Sequence, residues 1–272
     1  MNKTDILQLS SLVLTKAKEY GADLVGIADA AELKNSPSHK LAPQIPRLKV
    51  GKVEGGLEPE VVQWPENAKS VIVIGISHPE DKPELDWWHG KYLPPGNQKL
   101  ARIAKKLGEW INNNYEGIQA YPLPYHVEKG GIYLKDAAVM AGLGCIGLNN
   151  LFISPEYGPA VRLRVLTVDK ELVFTGPVNY NPCSSCEVYC LKKCPRGAFN
   201  EVIYNQEEMG QSNLPGITGT YSRIKCNHQM EKDIKDSRER NETAIYGPDG
   251  EEVQLLKYCR NCEFACPVGR VT

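Results

Sequence analysis

CSSCEVYCLKKCP, residues 183–195, is the stretch that decides how the last third of this chain is organised. Its four cysteines lie within twelve residues, and a proline follows the last of them, Cys194. Part of the pattern returns downstream as CRNCEFACP, residues 259–267, with Cys226 standing alone between the two motifs. Eight of the nine cysteines fall in this region, and the first 182 residues contain only Cys145. The contrast predicts a domain boundary, which we place between residues 175 and 176.

The cysteine spacing predicts two four-iron clusters. In bacterial two-cluster ferredoxins, a tight run of cysteines binds one cluster, and the cysteine that precedes proline binds the other. Applied to this chain, the rule exchanges the two terminal cysteines between the motifs, which uses all eight and explains why both motifs end in Cys-Pro. The predicted ligand sets are Cys183, Cys186, Cys190 and Cys266 for one cluster, and Cys194, Cys226, Cys259 and Cys262 for the other.

Zinc is the alternative metal, because four-cysteine zinc sites also use Cys-x2-Cys pairs. Zinc ribbons need two such pairs per metal, however, and the trailing Cys-Pro has no function in them. Disulfides are the least favoured, because cytosolic thiols stay reduced. One spacer departs from the ferredoxin pattern: three residues, 187–189, separate Cys186 from Cys190 where the usual run has two. We expect a local bulge that keeps the ligand.

Composition excludes several classes of protein. The hydrophobic content of 42% and the charged content of 24% are ordinary for a globular chain. The net charge of −1 gives no general reason to expect nucleic acid or an anionic membrane as partner. The sequence has no apolar run long enough for a membrane span and no secretion signal at its start. We therefore expect a cytoplasmic protein without a membrane partner.

The pattern of the first 175 residues alternates between helix and strand. Continuous β-branched runs, SVIVIGIS at 70–77 and VRLRVLTV at 161–168, are typical of buried strands. Residues 33–65 are rich in proline, glycine and lysine, which predicts a long irregular excursion. The remaining elements are predicted helices at 6–20, 99–112 and 135–142 and a predicted strand at 24–28.

These elements predict an α+β fold with two domains. An α/β domain covers residues 1–175, and a ferredoxin-like domain covers residues 176–272. In the second domain, EKDIKDSRER at 231–240 predicts a solvated helix, and GPDG at 247–250 predicts a hairpin turn.

The chain resembles a known family from Glu128 onward. The stretch AAVMAGLGCIGLNNLFISPEYGPAVRLRVLTVD, residues 137–169, together with the two Cys-Pro motifs, is similar to epoxyqueuosine reductases and the related reductive dehalogenases. The resemblance implies a nitroreductase-like domain that holds a cobalamin against a double-cluster domain. Electrons from an external donor, such as ferredoxin or flavodoxin, would pass through the clusters to the corrinoid and then to an organic substrate.

Several positions depart from that family. Cys145 stands where epoxyqueuosine reductases usually have an aromatic residue, and Leu148 stands where they usually have lysine. The sequence ends six residues after Cys266, so we expect no helical-repeat extension of the kind that binds tRNA. It also lacks the twin arginine of respiratory dehalogenases. We therefore expect a small-molecule or corrinoid substrate in preference to tRNA.

Glu128 is the candidate catalytic residue. Its distance from the AGLG turn matches the acidic proton donor of epoxyqueuosine reductases, and a carboxyl group beside an apolar cofactor would have the raised pKa that a general acid needs. A solvated loop glutamate is the alternative, and Tyr125 and His126 are nearby groups able to share the role.

Gly142, Gly144 and Gly147 are the candidate cofactor-binding residues, because glycine lets the backbone approach a ligand closely. Their alternative role is a tight helix exit. The turn does not match a dinucleotide or nucleotide-phosphate fingerprint, so NAD and ATP are not predicted.

Three functions remain open at this stage. The first is a corrinoid-dependent reductase that is fed by its own clusters. The second is an electron-transfer module whose α/β domain docks a partner or binds a flavin. The third is a protein that reduces cobalt for use by another enzyme.

Overall fold

The computed structural model describes residues 3–44, 62–86, 93–245 and 250–270. A four-stranded sheet forms the centre of the N-terminal part. In chain order its elements are α1 (Lys3–Glu19), β1 (Leu24–Asp29), α2 (Ala30–Lys34), α3 (Pro37–Leu41), β2 (Ser70–Ser77), α4 (Pro95–Asn114), β3 (Ala120–Pro122), α5 (Leu134–Met140), β4 (Cys145–Ile146), β5 (Phe152–Ile153) and β6 (Val161–Val168).

The sheet has the order β1-β2-β6-β3, and every neighbouring pair is antiparallel. Its two central strands, β2 and β6, have the bounds that their β-branched runs predict, and Ile72 lies opposite Leu166 in the register. An antiparallel sheet covered by helices makes the N-terminal part α+β, in agreement with the predicted class.

Both faces of the sheet are buried. Because successive side chains of a strand point to opposite sides, each strand contributes to two cores. Ile72 and Ile74 pack with α1 and α4 in one hydrophobic core, which includes the fully buried Leu107. Val71 and Val73 point the other way and pack with α5 in a second core. Burial of each such side chain contributes about 1.5–3 kcal/mol, so this part carries a large apolar stabilisation of its own.

The prediction of an irregular excursion over 33–65 is wrong for its first residues, whereas residues 62–65 are irregular as predicted. Two short helices, α2 and α3, occupy residues 30–41, and residues 45–61 lie outside the described ranges. Hydrogen bonds made far along the chain hold α3. Asp136 on α5 accepts from Ser36 Oγ at 2.7 Å and from Ser38 Oγ at 2.6 Å. A local pattern cannot reveal such a partner.

The segment after β6 returns to the sheet before the chain leaves the N-terminal part. Thr175 Oγ1 donates to the carbonyl of Ala141 at 2.6 Å and accepts from the amide of Ile27 at 2.8 Å. Residues up to 175 thus belong to the packing of the sheet. The domain boundary at 175/176 stays a prediction.

The C-terminal part has short elements and little apolar core. Its elements are α6 (Tyr189–Lys192), α7 (Gln206–Met209), α8 (Arg223–Arg240), β7 (Thr243–Ile245), β8 (Glu252–Gln254) and α9 (Asn261–Phe264). The predicted helix at 231–240 is the second half of α8, and strands β7 and β8 pair as the predicted hairpin, although most of its turn, 246–249, lies outside the described residues. In the part of the chain that the structure describes, no helix has the length and hydropathy needed to cross a membrane.

Candidate cluster and substrate site

The cysteines of the first ligand set lie together. Burial, with the nearby thiolates of Cys266, Cys183 and Cys186, raises the pKa of Cys190 to about 11. Burial also raises the pKa of Cys266, and Cys183 and Cys186 add to that shift. Cys266 is thus a neighbour of the first motif, although it belongs to the second in sequence. We call these residues the Cys190 group: Cys183, Cys186, Cys190 and Cys266.

The second ligand set is also close in space. Burial raises the pKa of Cys259 against the effect of a backbone hydrogen bond. The negative charges of Asp233, Cys226 and Cys194 add to this rise. Burial and the thiolates of Cys226 and Cys259 raise the pKa of Cys262 to about 12. Cys194, Cys226 and Cys262 pack against the same small apolar cluster. We call these residues the Cys226 group: Cys194, Cys226, Cys259 and Cys262.

Short helices and the start of α8 position these thiols. Helix α6 carries Cys190 and packs against α9, which carries Cys262, so the two groups adjoin. Cys226 lies in the first turn of α8. The extra residue before Cys190 is absorbed at Val188, whose φ of 50° is left-handed. A β-branched residue rarely adopts that conformation, so this is the structural form of the predicted bulge.

Backbone amides point at several sulfurs. The amide of Ala198 donates to Cys194 Sγ at 3.3 Å. Backbone hydrogen bonds at Leu191, Asn261 and Val268 lower the pKa values of Cys190, Cys259 and Cys266 against the larger effect of burial. Hydrogen bonds to cluster sulfurs are one of the means by which proteins set cluster potentials. The residues present therefore fit iron–sulfur clusters.

The spacing of the sulfurs disfavours zinc. A tetrahedral zinc holds its sulfurs at about 2.3 Å, which places them roughly 3.8 Å from one another. Within the described residues, the group of three or more potential ligand atoms that lie within 4.8 Å of one another contains His78, Asp86 and Glu263, and it contains no cysteine. Three cysteine sulfurs at zinc spacing are therefore not found among the described residues, which favours the four-iron cluster over zinc. None of the nine cysteines, all in the described ranges, forms a disulfide.

The AGLG turn of the N-terminal part lies against both cysteine groups. Burial and the thiolates of Cys183 and Cys266 raise the pKa of Cys145 to about 12, which makes Cys145 an unreactive neighbour of the Cys190 group. Asn149 Nδ2 donates to the carbonyl of Cys262 at 3.4 Å, next to the Cys226 group. This turn is thus the surface of the N-terminal part that the clusters would face.

Atoms of the chain itself fill the space beside the three candidate glycines. A Cβ on Gly142 would lie 2.7 Å from the carbonyl oxygen of Thr175, and a Cβ on Gly144 would lie 2.1 Å from that of Ile153. At Gly147 it would lie 2.3 Å from the Cδ1 atom of Ile153. Close packing within the chain explains all three glycines, in agreement with their alternative role in a tight exit from the helix. Their cofactor role stays a prediction.

Glu128 lies in a short 3-10 helix, Val127–Lys129, whose end is set by Gly130 with a φ of 92°. Its side chain is outside what the structure describes. Tyr125, three residues before Glu128, locates this loop, because it is an electrostatic neighbour of both Arg164 and Arg223. Arg223 in turn interacts with Cys226. The Glu128 loop is therefore on the side of the Cys226 group.

Two cations lie beside Cys226. Arg223, the first residue of α8, donates from Nη1 to the Tyr221 hydroxyl at 3.1 Å, and Tyr221 hydrogen-bonds to Cys226. Burial, together with the positive charge of Arg223, lowers the pKa of Lys135 to about 8. The charges of Asp136 and Cys226 oppose this shift. Lys135 Nζ donates to the carbonyl of Asn150 at 2.6 Å. A local sequence pattern does not reveal this basic environment, because Lys135 and Arg223 come from separate segments of the chain.

A buried ionic network joins the two parts of the chain. Asp86 pairs with His78 at 2.9 Å and with Arg260 at 2.6 Å, and it also pairs with Arg162 on β6. Burial acts to raise the pKa of Asp86, but the hydrogen bond from His78 and the charges of the two arginines hold it below its ordinary value. Arg260 lies between two ligands of the Cys226 group and also pairs with Glu263. The network thus ties β2 and β6 to the cysteine loops.

Cavities elsewhere do not include the candidate residues. One of about 470 Å³ lies between α1 and the segment after β6, and one of about 200 Å³ lies beside α8. Neither is lined by Glu128, by the three glycines or by a cysteine.

No protein-family model matches the chain. Individual proteins do. An epoxyqueuosine reductase from Lactococcus garvieae is 27% identical over 219 residues, which cover 75% of this chain and 53% of that protein. A crystal structure of epoxyqueuosine reductase with an epoxyqueuosine-modified tRNA-Tyr stem loop superposes with a TM-score of 0.58, at 19% identity, over 97% of this chain and 66% of that one. This chain is a relative of the epoxyqueuosine reductases.

The reductive dehalogenases share the fold. One whose structure is described with a mechanism for B12-dependent dehalogenation has a TM-score of 0.62 at 17% identity, over 99% of this chain and 33% of that chain. The chain spans about half to three fifths of the length of two curated epoxyqueuosine reductases that it matches. The predicted resemblance is confirmed at the level of the family, and the observed mixed α/β architecture is that of these proteins.

Proposed function

We propose that this chain is an iron–sulfur reductase. Its nitroreductase-like domain, residues 1–175, binds the substrate, and its ferredoxin-like domain, residues 176–272, holds two four-iron clusters, one in each cysteine group. The observation that carries the proposal is the proximity of Cys266 to the first motif and of Cys194 to the second, which is the crossed arrangement of two-cluster ferredoxins.

The proposed path of electrons follows from the positions of the groups. The two groups adjoin through α6 and α9, so an electron can pass from one cluster to the other. The Cys226 group lies beside Arg223 and the Glu128 loop, so it is the proposed exit toward the substrate. An external donor such as ferredoxin or flavodoxin would supply the Cys190 group. We place this activity in the cytoplasm, with a small molecule as substrate in preference to tRNA.

A corrinoid is the proposed acceptor of these electrons, on the strength of the relatives alone. When bound, it would supply a metal centre that accepts electrons one at a time and reacts with the substrate. The alternative is an electron-transfer or corrinoid-reducing module that serves a partner enzyme. Calorimetry with cobalamin separates the two: absence of binding, with a flavin retained through purification, would favour the electron carrier.

Metal analysis of anaerobically purified protein tests the central claim. Two four-iron cubes predict about eight irons and eight labile sulfides per chain. Two zincs per chain with little iron would reject the proposal. The same sample should show the broad visible absorbance of iron–sulfur clusters, and it should lose that absorbance on reduction.

Glu128 is the proposed proton donor, because electrons that reach the substrate must be matched by protons. Glu128→Gln keeps the size and hydrogen bonding of the side chain but removes its proton. A positioned acid contributes about 100- to 10,000-fold, so substrate reduction should slow at least about tenfold while iron content stays unchanged. Unchanged turnover would make Glu128 a solvated loop residue.

A further inference from the structure

Arg164 on β6 is a half-buried cation without a neutralising partner. Its Nε and Nη1 atoms are inaccessible to solvent and have no hydrogen-bond partner. Among the residues that the structure describes, no carboxylate pairs with it, and Tyr125 is the group that opposes the lowering of its pKa by burial. A buried charge without a partner is costly to the folded state. Such a group therefore calls for an explanation.

Arg162 shows that the fold can neutralise an arginine at this place. It lies two residues earlier on β6 and on the same face of the sheet. Arg162 pairs with Asp86, donates from Nη1 to Asn97 Oδ1 at 3.1 Å, and donates from Nη2 to the Tyr258 hydroxyl at 3.0 Å. The contrast makes the isolation of Arg164 a local property of its surroundings and not a general feature of this strand.

Two further cations, Arg223 and Lys135, are linked to Arg164 through electrostatic neighbours. Tyr125 is an electrostatic neighbour of Arg164 and Arg223, and Arg223 acts on Lys135. Neither Arg223 nor Lys135 forms an ion pair with a carboxylate in the described ranges. Asp136, the carboxylate nearest to Lys135, has both oxygens engaged by the two serines of α3. Arg164 and Arg223 therefore both lie near Tyr125, and Arg223 also lies near Cys226.

An anionic cluster would neutralise part of this charge, but not the part at Arg164. Cys226 is an electrostatic neighbour of both Arg223 and Lys135. No cysteine acts on Arg164 in the same way. Within the described residues, neither a carboxylate nor a thiolate supplies the negative charge that would match Arg164.

We propose that Arg164, assisted by Arg223 and the Tyr125 hydroxyl, binds an oxyanion of the substrate, either a carboxylate or a phosphate. The proposal rests on the proposed function, because it takes the substrate to accept electrons beside the Cys226 group. A guanidinium binds such an oxyanion through two parallel charge-assisted hydrogen bonds. A neutral substrate would leave Arg164 unpaired. The substrate class is thus an anionic organic molecule whose reducible group lies between the Glu128 loop and the cluster.

Anion binding by the cluster-loaded protein tests the proposal. Benzoate and inorganic phosphate serve as probes, titrated by calorimetry under anaerobic conditions at constant ionic strength. We expect saturable binding of at least one probe and a loss of at least about tenfold in affinity in Arg164→Met, since hydrogen bonds to charged groups are strong. Arg102→Met, at an exposed position of α4, is the matched control and should bind as the unchanged protein does. No saturable binding, or equal binding in Arg164→Met, overturns the proposal.

Thermal unfolding without added anion gives a second readout. Arg164→Met should keep or raise the unfolding midpoint, because it removes an unpaired buried charge. Arg162→Met should lower the midpoint, because it leaves Asp86 without one of its partners. If Arg164→Met instead lowers the midpoint as Arg162→Met does, Arg164 has a structural partner and the proposal fails.

Two further measurements identify the source of the anion and keep this proposal apart from the proposed function. If Arg164→Met weakens binding of cobalamin but not of cobinamide, which lacks the nucleotide phosphate, the oxyanion belongs to a cofactor and the substrate assignment is overturned. Iron content is measured on every sample. Zinc in place of iron rejects the proposed function, whereas intact clusters with no effect of Arg164 reject the oxyanion site alone.

Discussion

The N-terminal and C-terminal parts of this chain are stabilised by different means. The sheet of residues 24–168 is covered on both faces by apolar side chains, and its two cores hold most of the fully buried leucines and isoleucines. The apolar clusters of the C-terminal part are small: one contains Ala198, Phe199 and Tyr221, and the other joins Tyr204 and Leu214 to Leu41 of α3. Its longest helix, α8, buries only Asn227 and Ser237. We therefore expect this part to depend on the proposed clusters for its stability, whereas the sheet has its own apolar core.

Removal of the clusters should have the largest effect on stability, and it tests directly whether the two parts of the chain are stabilised differently. We expect chelation of iron under oxidising conditions to unfold residues 176–270, because their apolar contacts alone are too few. The strands β2 and β6 should keep their structure. Hydrogen exchange read by mass spectrometry checks this: protection should be lost in α8 and retained in residues 70–77. Full protection of α8 in the metal-free protein would contradict the comparison.

Substitution of single ligands should have the next largest effect. Cys194→Ser is expected to damage the cluster of the Cys226 group and to leave that of the Cys190 group intact, because Cys194 lies near Cys226 and Cys259. Cys190→Ser should do the reverse. Electron paramagnetic resonance of the reduced protein distinguishes the two clusters. Loss of the same signal in both variants would show that ligation follows the order of the sequence.

Truncation of a core side chain tests how strongly the stability of the N-terminal part depends on its apolar core. Leu107 on α4 is fully buried, so Leu107→Ala should cost about 2–5 kcal/mol of unfolding free energy. Leu7 on α1 is 50% exposed, and Leu7→Ala should change that free energy by less than about 0.5 kcal/mol. Urea titration followed by far-ultraviolet circular dichroism measures both. Equal costs would mean that the sheet does not depend on its core as the structure indicates.

A smaller effect should appear with pH in the N-terminal part. Burial lowers the pKa of His39 to about 4, against the opposing charge of Asp136, and its ring lies between Trp64 and Tyr133. Because the unfolded state protonates first, with a pKa near 6.5, stability should fall as pH drops from 6.5 to 4. The total loss is at most about 3 kcal/mol.

His39→Asn should remove this part of the pH dependence, because asparagine does not titrate. Urea titrations of both proteins at pH 7 and pH 5 give the difference, and acid damage to the clusters cancels in the comparison. An identical decrease in the two proteins would exclude His39 as the source.

The sequence predicts the N-terminal elements well where local pattern is decisive. The runs at 70–77 and 161–168 mark their strands with the observed bounds, because continuous β-branched residues have few other stable conformations. The cysteine spacing likewise predicts which thiols lie together, since ligand motifs encode their own geometry. Each of these signals is contained in about a dozen residues or in the rule of one cofactor.

The remaining features depend on partners that are distant in sequence. Helix α3 is held by Asp136, about 100 residues away, so residues 37–41 look irregular when read alone. The basic environment of Arg164 and Arg223 comes from β6 and the start of α8, and neither segment shows a binding motif. Pairing of this kind is decided by tertiary packing, and a single sequence contains no periodicity that reveals it.

Arg260 has a place in both halves of the molecule, and this has a consequence for assembly. It lies between Cys259 and Cys262 in the sequence, and its guanidinium forms an ion pair with the buried Asp86 of the N-terminal part. Any movement of the loop that carries these ligands must withdraw a buried charge from its partner. The loop is therefore held by the N-terminal part, so a rearrangement around Cys259 and Cys262 would also disturb the contact of Arg260 with Asp86.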